Sequence, residues 1–396
     1  MKIDDMRVIH NTAMGQLRLK AQARKEYKRL RKHLNTLPVG YPATPTGVEL
    51  KLLEGLFTPE EARAALHLNW RPEPFEAIFE RARGHGYTED QLRNLLDAME
   101  KKGCLFVVRN GDQTRYACHP LVVGMFELQI KRVTTGFYLN LRDYFMQGYC
   151  AEWIASKPRQ ARVIPINQSL TPSMAVAAYD DIRRMVEEAG DRIAITDCVC
   201  KVSMGWLGKP CRTTERREVC MCFRDYSDMF VRHGWGRAIS PAEALAILDQ
   251  NEKDGLILLP ATAQEPQFVC SCCGCCCGVL QIVKMMPRAA EFVESNYRAS
   301  LNPGLCKGCT LCGRRCHLNA IAFEGKQAVA IDPLRCIGCG LCVSTCPSHA
   351  LSLVPKEDHF VPPRDFHELY EEIERNKQGG LAKKLMLVKA VLGFKV

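Results

Sequence analysis

CKGCTLCGRRC at residues 306–316 and CIGCGLCVSTCP at residues 336–347 space their cysteines alike, at Cys306, Cys309, Cys312, Cys316 and again at Cys336, Cys339, Cys342, Cys346. Three cysteines at i, i+3 and i+6 wrap a short loop around one four-iron cubane and present thiolates to three of its irons. The fourth is carried away by the next turn of chain and faces a neighbouring cluster. One expected ligand set is therefore Cys306, Cys309, Cys312 and Cys346, and the other is Cys336, Cys339, Cys342 and Cys316. Gly308, Gly313, Gly338 and Gly340 would let backbone amides approach the sulfurs. Zinc also takes Cys-x-x-Cys pairs, but zinc ribbons use separated pairs and not a doubled four-cysteine run.

Further upstream lies a denser group. Cys198-x-Cys200 leads to Cys211, Cys220 and Cys222, and then come Cys270-x-Cys272-Cys273-x-Cys275-Cys276-Cys277. The chain holds 22 cysteines in all, an even number that disulfides could account for. Adjacent cysteines pair poorly, because a disulfide needs about 5.5 Å between Cα atoms and a specific torsion. The start, Met1 to His10, also lacks the basic-then-apolar layout of an export signal, so a reducing cytoplasm is the expected compartment. Metal–thiolate chemistry is the reading that remains for Cys198, Cys200, Cys211, Cys220, Cys270, Cys272, Cys273, Cys275, Cys276 and Cys277, against the rival of inert free thiols. Lys201, Arg212, Arg216 and Arg217 stand close in sequence and would favour the thiolate form. Isolated Cys104, Cys118 and Cys150 are expected to be small core residues.

Residues 301–355 resemble the bacterial-type two-cluster ferredoxin domains, with every cysteine of the motif present. That resemblance implies two [4Fe-4S] clusters and electron transfer. One position departs from the pattern: His317 stands where the family carries proline. Since Cys316 already fills the ligand position, His317 is expected to alter hydrogen bonding near the second cluster. From about residue 40 to 355 the chain is also similar to a group of cysteine-rich 4Fe-4S binding proteins of anaerobes, with comparable central cysteine runs. This likeness implies further cluster binding and names no substrate.

The expected organisation is α+β and multidomain: a basic helical arm and linker (1–45), a winged-helix-like domain (46–120), a central cysteine-rich α/β domain (121–295), the ferredoxin domain (296–360) and an amphipathic tail (361–396). In the arm, Leu17, Leu30 and Leu34 are sparse apolar points on a charged helix. Thr58-Pro59-Glu60-Glu61 and Thr88 to Gln91 read as helix starts with capping boxes. Asn110-Gly111 between Leu105–Arg109 and Thr114–Cys118 reads as a hairpin turn with both central residues at positive φ. In the centre, Thr171-Pro172 and Ser240-Pro241 each open a helix, closed by Gly190 and Gly255. A strand follows each helix, at Arg192–Thr196 and Leu256–Leu259, and cysteines come next. That repetition would bring both cysteine groups to one sheet edge, although helix–strand units also recur by chance.

The net charge of +10 sits at the ends. Residues 1–33 carry ten Lys/Arg against three Asp/Glu, and residues 379–396 carry four Lys and no acid, so the rest is close to neutral. Residues 45–120 hold ten Lys/Arg and twelve Asp/Glu, and helix 89–102 offers only Arg93, Lys101 and Lys102 as cations. Phosphate contacts dominate DNA affinity, so the winged helix is expected to dock on protein rather than on DNA. Leu381, Leu385, Val388 and Leu392 form one helical stripe beside Lys383, Lys384 and Lys389. That stripe would dock on a partner subunit or an acidic membrane surface, or else pack on its own domain. No Walker loop and no full Gly-x-Gly-x-x-Gly fingerprint occurs. The leading expectation is an electron-transfer protein serving a redox partner. A redox-sensing regulator and a catalytic subunit with a substrate-binding central cluster are the alternatives.

Overall fold

A computed structural model describes residues 3–170 and 176–396, with side chains described from residue 19 onward. Helices and several small sheets make a mixed α and β chain. It divides into two compact units, Met1–Gln129 with Gly136–Tyr149, and Ile130–Thr135 with Cys150–Val396.

In the first unit the arm is one long helix, Ile3–Thr36, which buries Tyr27, Leu30 and Leu34; the Leu17 side chain lies outside the described ones. Helices Val48–Leu56, Pro59–Ala64, Phe75–Ala82 and Glu89–Lys101 follow. Both capping boxes form, with Thr58 and Glu61 exchanging side-chain and backbone hydrogen bonds, and Thr88 and Gln91 doing the same. Each box satisfies two N–H groups that a helix start otherwise leaves without partners. Strands Leu105–Asn110 and Gln113–Cys118 pair as a hairpin, and the short strand Glu73–Pro74 adds to the outer side of the second. The hairpin turn differs from expectation. Asn110 pairs with Gln113 and belongs to the strand, so Gly111 and Asp112 are the central residues. Only Gly111 takes a positive φ, +57°, as in a type II′ turn with glycine first.

The second unit is built on a five-stranded antiparallel sheet in the order Gly236–Ala238, Ile193–Asp197, Glu218–Phe223, Phe268–Cys272, Ile257–Pro260. The two strands expected from the helix–strand repetition, Ile193–Asp197 and Ile257–Pro260, are thus not neighbours. Two cysteine-bearing strands return between them, and this antiparallel order corrects the α/β reading of the centre. Their short, thiol-rich sequences carry little of the apolar alternation that marks a strand. The second helix opens as expected, with Ser240 accepting from the Glu243 N–H and Gly255 closing it at φ +84°. Of the first, Thr171 and Pro172 lie outside the described residues, and the helix that Gly190 closes runs Ile182–Ala189 from an Asp181 cap.

A buried ion pair anchors this unit. Arg162 and Asp180 meet at 2.5 Å with each side chain 3% exposed, and Arg162 also donates to the Tyr179 carbonyl. The other Asp180 oxygen accepts from the Asn296 amide at 2.9 Å. Changing Asp180 to Ala strands a guanidinium without its counter-charge, and should lower unfolding stability by about 3–5 kcal/mol, read from the urea midpoint.

The C-terminal helix Gly380–Val391 packs on helix Cys150–Ala155. Lys383 turns inward and meets the buried Glu152 at 2.6 Å, and Ala390 is buried with it. Leu381, Leu385, Val388 and Leu392 stay 53–85% exposed. The helix therefore docks on its own unit by its other face. No described helix is long and apolar enough to cross a membrane.

Candidate metal centres

The C-terminal centres rest on two antiparallel strand pairs, Tyr297–Leu301 with Leu351–Pro355 and Ile321–Glu324 with Gln327–Ile331. One cavity is lined by Cys316, Cys336, Cys339 and Cys342, together with Ala299, Ile331 and Leu341. These are the four cysteines of the second expected set, so Cys316 faces away from its own sequence run. Burial, with repulsion from Cys316 and Cys336, pushes the Cys339 thiol up to about 12. Cys312 is raised by burial as well, and its charged neighbours are Cys309, Cys306 and Cys346, the other expected set.

Backbone N–H groups of Ala299, Ala320 and Ala328 donate to the sulfurs of Cys336, Cys316 and Cys306 at 3.3, 3.2 and 3.4 Å. Two glycines let the second cysteine loop pack against neighbouring chain. At Gly338 (φ +69°) a Cβ would fall 2.1 Å from the Tyr297 carbonyl oxygen, and at Gly340 (φ +79°) 2.1 Å from Ser169 Oγ. Thiolates fed by amides around an apolar cavity are what a cubane requires, so the donor set fits one.

Three side chains tie this module to the helices and loops around the sheet. Arg315 donates to the carbonyls of Glu252 and Lys253, at the end of helix Pro241–Asp254. Arg335 donates to the carbonyls of Leu318, Met286 and Lys284. His317 sits between them: its Nε2 donates to the Gly255 carbonyl at 2.8 Å, and its Nδ1 accepts from the Gly274 N–H at 3.2 Å. Gly274 lies between Cys273 and Cys275, so the residue that replaces proline braces the central cysteine loop. Changing His317 to Ala removes both bonds, worth about 2 kcal/mol together. Alkylation of Cys275 in the native protein should speed up while the ferredoxin absorbance stays.

All ten expected central cysteines are brought together, in two groups. Cys198 stands just before helix Val199–Trp206 with Cys200 in its first turn, and Cys277 precedes helix Gly278–Met285. Cys220 comes from strand Glu218–Phe223, and Cys270 and Cys272 share a face of strand Phe268–Cys272. Their sulfurs close a ring in the order Cys198, Cys200, Cys277, Cys272, Cys270, Cys220, and each bonds to its two neighbours. Donors and acceptors alternate around it. Bonds from Cys200 and Cys220 hold Cys198 well below its ordinary value, and bonds from Cys200 and Cys272 do so for Cys277. Cys270, fed by Cys220 and Cys272, is held at about 6, while Cys200, Cys220 and Cys272 are raised as the donors. Helix N-termini beside Cys198 and Cys277 favour the anionic form further. A continuous ring of six sulfurs, three of them held below the ordinary thiol value by their neighbours, suits an iron–sulfur cluster.

The second group is Cys211, Cys273, Cys275 and Cys276, whose sulfurs all lie within 4.8 Å of one another. Lys201 Nζ reaches Cys211 at 2.8 Å and Cys273 at 3.6 Å. Arg216 is engaged elsewhere. It holds the loop bearing Cys211 by pairing with Asp254 at 2.9 Å and Asn251 at 2.5 Å. Cys222 belongs to neither group; it is buried, and desolvation raises its thiol. Burial likewise pushes Cys118 up to about 12 and Cys150 up to about 11, as for core thiols. Arg315, Arg335 and Asn251 escaped the sequence reading, since nothing in their spacing marks a residue that donates to distant backbone.

Residues 300–358 match the family model of the 4Fe-4S dicluster domain. That match and the cysteines it covers support iron–sulfur cluster binding by this stretch of the chain. No curated protein and no solved structure matches it.

Proposed function

We propose that this protein is an electron carrier with two ferredoxin-type [4Fe-4S] clusters and a third cluster in the six-cysteine ring, relaying electrons to or from a partner oxidoreductase. Cys306, Cys309, Cys312 and Cys346 would hold the first cluster, and Cys336, Cys339, Cys342 and Cys316 the second. The carrying observation is the continuity of the thiol sites. Cys316 lines the cavity of the second set, and the adjoining His317 bonds to the loop that runs into the ring at Cys272 and Cys277. Bound clusters would supply one-electron chemistry, while the chain provides thiolates, amide hydrogen bonds and exclusion of water.

The first unit reads best as a winged helix used for protein docking. Of the three cations on its candidate recognition helix, Lys102 pairs with Glu61 at 2.7 Å, and Arg93 lies over the Phe75 ring at 3.6 Å. Little charge is left for phosphates. The exposed tail stripe is the proposed contact for the redox partner. Among the described residues, six of the fifteen large exposed apolar side chains, Leu381, Leu385, Val388, Val391, Leu392 and Phe394, gather there beside exposed Lys384, Lys389 and Lys395.

The test is a redox titration of anaerobically purified protein followed by electron paramagnetic resonance, with a parallel titration against genomic DNA fragments in about 0.15 M salt. Three reducible centres and no sequence-selective DNA retention are expected. Selective retention that follows cluster oxidation would make the protein a redox-sensing regulator instead.

A further inference from the structure

Cys211, Cys273, Cys275 and Cys276 differ from every other cysteine group in how closely their sulfurs approach. Cys211 Sγ lies 3.6 Å from Cys273 and 3.7 Å from Cys275, Cys275 lies 3.4 Å from Cys273, and Cys276 lies 3.7 Å from Cys275. A tetrahedral metal–thiolate bond of about 2.3 Å gives sulfur–sulfur edges of about 3.8 Å. A cubane spreads its terminal sulfurs much further, because each lies about 2.3 Å outside a different iron, so that they stand roughly 6 Å apart. Among the described residues, no three ferredoxin cysteines have sulfurs all within 4.8 Å of one another, and neither do any three of the ring. Mutual closeness of all four sulfurs thus sets this group apart, since a ring sulfur adjoins only its two neighbours.

From this geometry we infer that Cys211, Cys273, Cys275 and Cys276 bind a single tetrahedral divalent metal ion, zinc or mononuclear iron, separate from any iron–sulfur cluster. Four thiolates around a divalent ion carry a net charge of −2, and the ammonium of Lys201 against Cys211 and Cys273 offsets half of it. Thr213 Oγ1 stands 3.5 Å from the Cys275 sulfur, and Gln281 donates to the Cys275 carbonyl at 2.9 Å. Both fix the ligand loop as outer partners of metal sites do. Metal entry displaces the thiol protons that remain in the group, and nothing is oxidised or reduced. The ion also has a structural use. Its ligands come from the Cys211 loop and from the turn between strand Phe268–Cys272 and helix Gly278–Met285, so it would clamp the turn on which three members of the ring also depend.

The inference holds whether or not the ring carries a cluster, and the experiment separates the two. Full-length protein, purified anaerobically, is analysed for zinc, iron and sulfide, and its zinc and iron X-ray absorption is recorded. A zinc shell of four sulfurs near 2.3 Å with no iron neighbour, or a mononuclear iron–thiolate spectrum, supports the single ion and says which metal it is. Changing Cys211 and Cys275 to Ser should lose one metal ion per chain with sulfide unchanged. Lys201→Met alters no ligand and should weaken retention of the ion about 10–100-fold against a chelator. Loss of about four irons and four sulfides from the Cys211/Cys275 variant would overturn the inference in favour of a cubane. Native protein whose four thiols alkylate freely, with no metal lost, would overturn it too.

Discussion

Anaerobically purified full-length protein should contain at least about twelve irons with matching sulfide, about four for each of three clusters. The ferredoxin cysteines account for about eight, so the excess must come from the central region. Six sulfurs in one ring repel one another once ionised, and thiolates oxidise readily, so a site left without cations would be costly. Changing Cys198, Cys272 and Cys277 to Ser breaks the ring at three points and removes all the acceptors but Cys270. About four irons should be lost and the ferredoxin signals should persist. About eight irons in fully loaded wild-type protein would leave the ring without a cluster. This count also separates the ring from the four-cysteine group, since variants of the latter should leave sulfide unchanged.

The sequence made the ligands legible but not their grouping. The doubled Cys-x-x-Cys runs name their own chemistry, because the spacing itself is the geometry of a loop around a cubane. The ten central cysteines were marked by crowding alone, and crowding does not say which sulfurs meet. Their sorting depends on strand register: Met221 opposite Val269 puts Cys220 beside Cys270, one step outside Cys222. Two such short strands pair through the backbone, and their side chains are too few to advertise it. His317 was visible as a departure from the ferredoxin pattern, while its use was hidden, since its partners are backbone groups about 40 and 60 positions upstream. At the helix caps the reading worked well, because Thr58, Thr88 and Ser240 satisfy neighbouring N–H groups and need no tertiary information. The tail was half legible. Its apolar stripe could be counted, but only the contact between Lys383 and Glu152 reveals which face packs inward.

Changing Cys316 to Ala should abolish the cluster held by Cys336, Cys339 and Cys342 and spare the one nearest in sequence. Cys316 stands four residues from Cys312, so a local reading would assign it to the Cys306 set. The cavity lining gives the opposite answer for Cys316, which faces the second run, and Cys346 stands near enough to Cys312 to raise its thiol. Removing one of four thiolates leaves an iron without its protein ligand, and the amide of Ala320 without its sulfur acceptor. About half of the ferredoxin iron should go, and the resonance of the remaining cubane should lose the broadening that a neighbouring paramagnet causes. Cys346→Ala should do the reverse, stripping the Cys306 set. If each variant instead lost the cluster of its own sequence run, the crossed ligation would be wrong. The proposed route from the second cluster through Cys316 and His317 to the central loop would then fall with it.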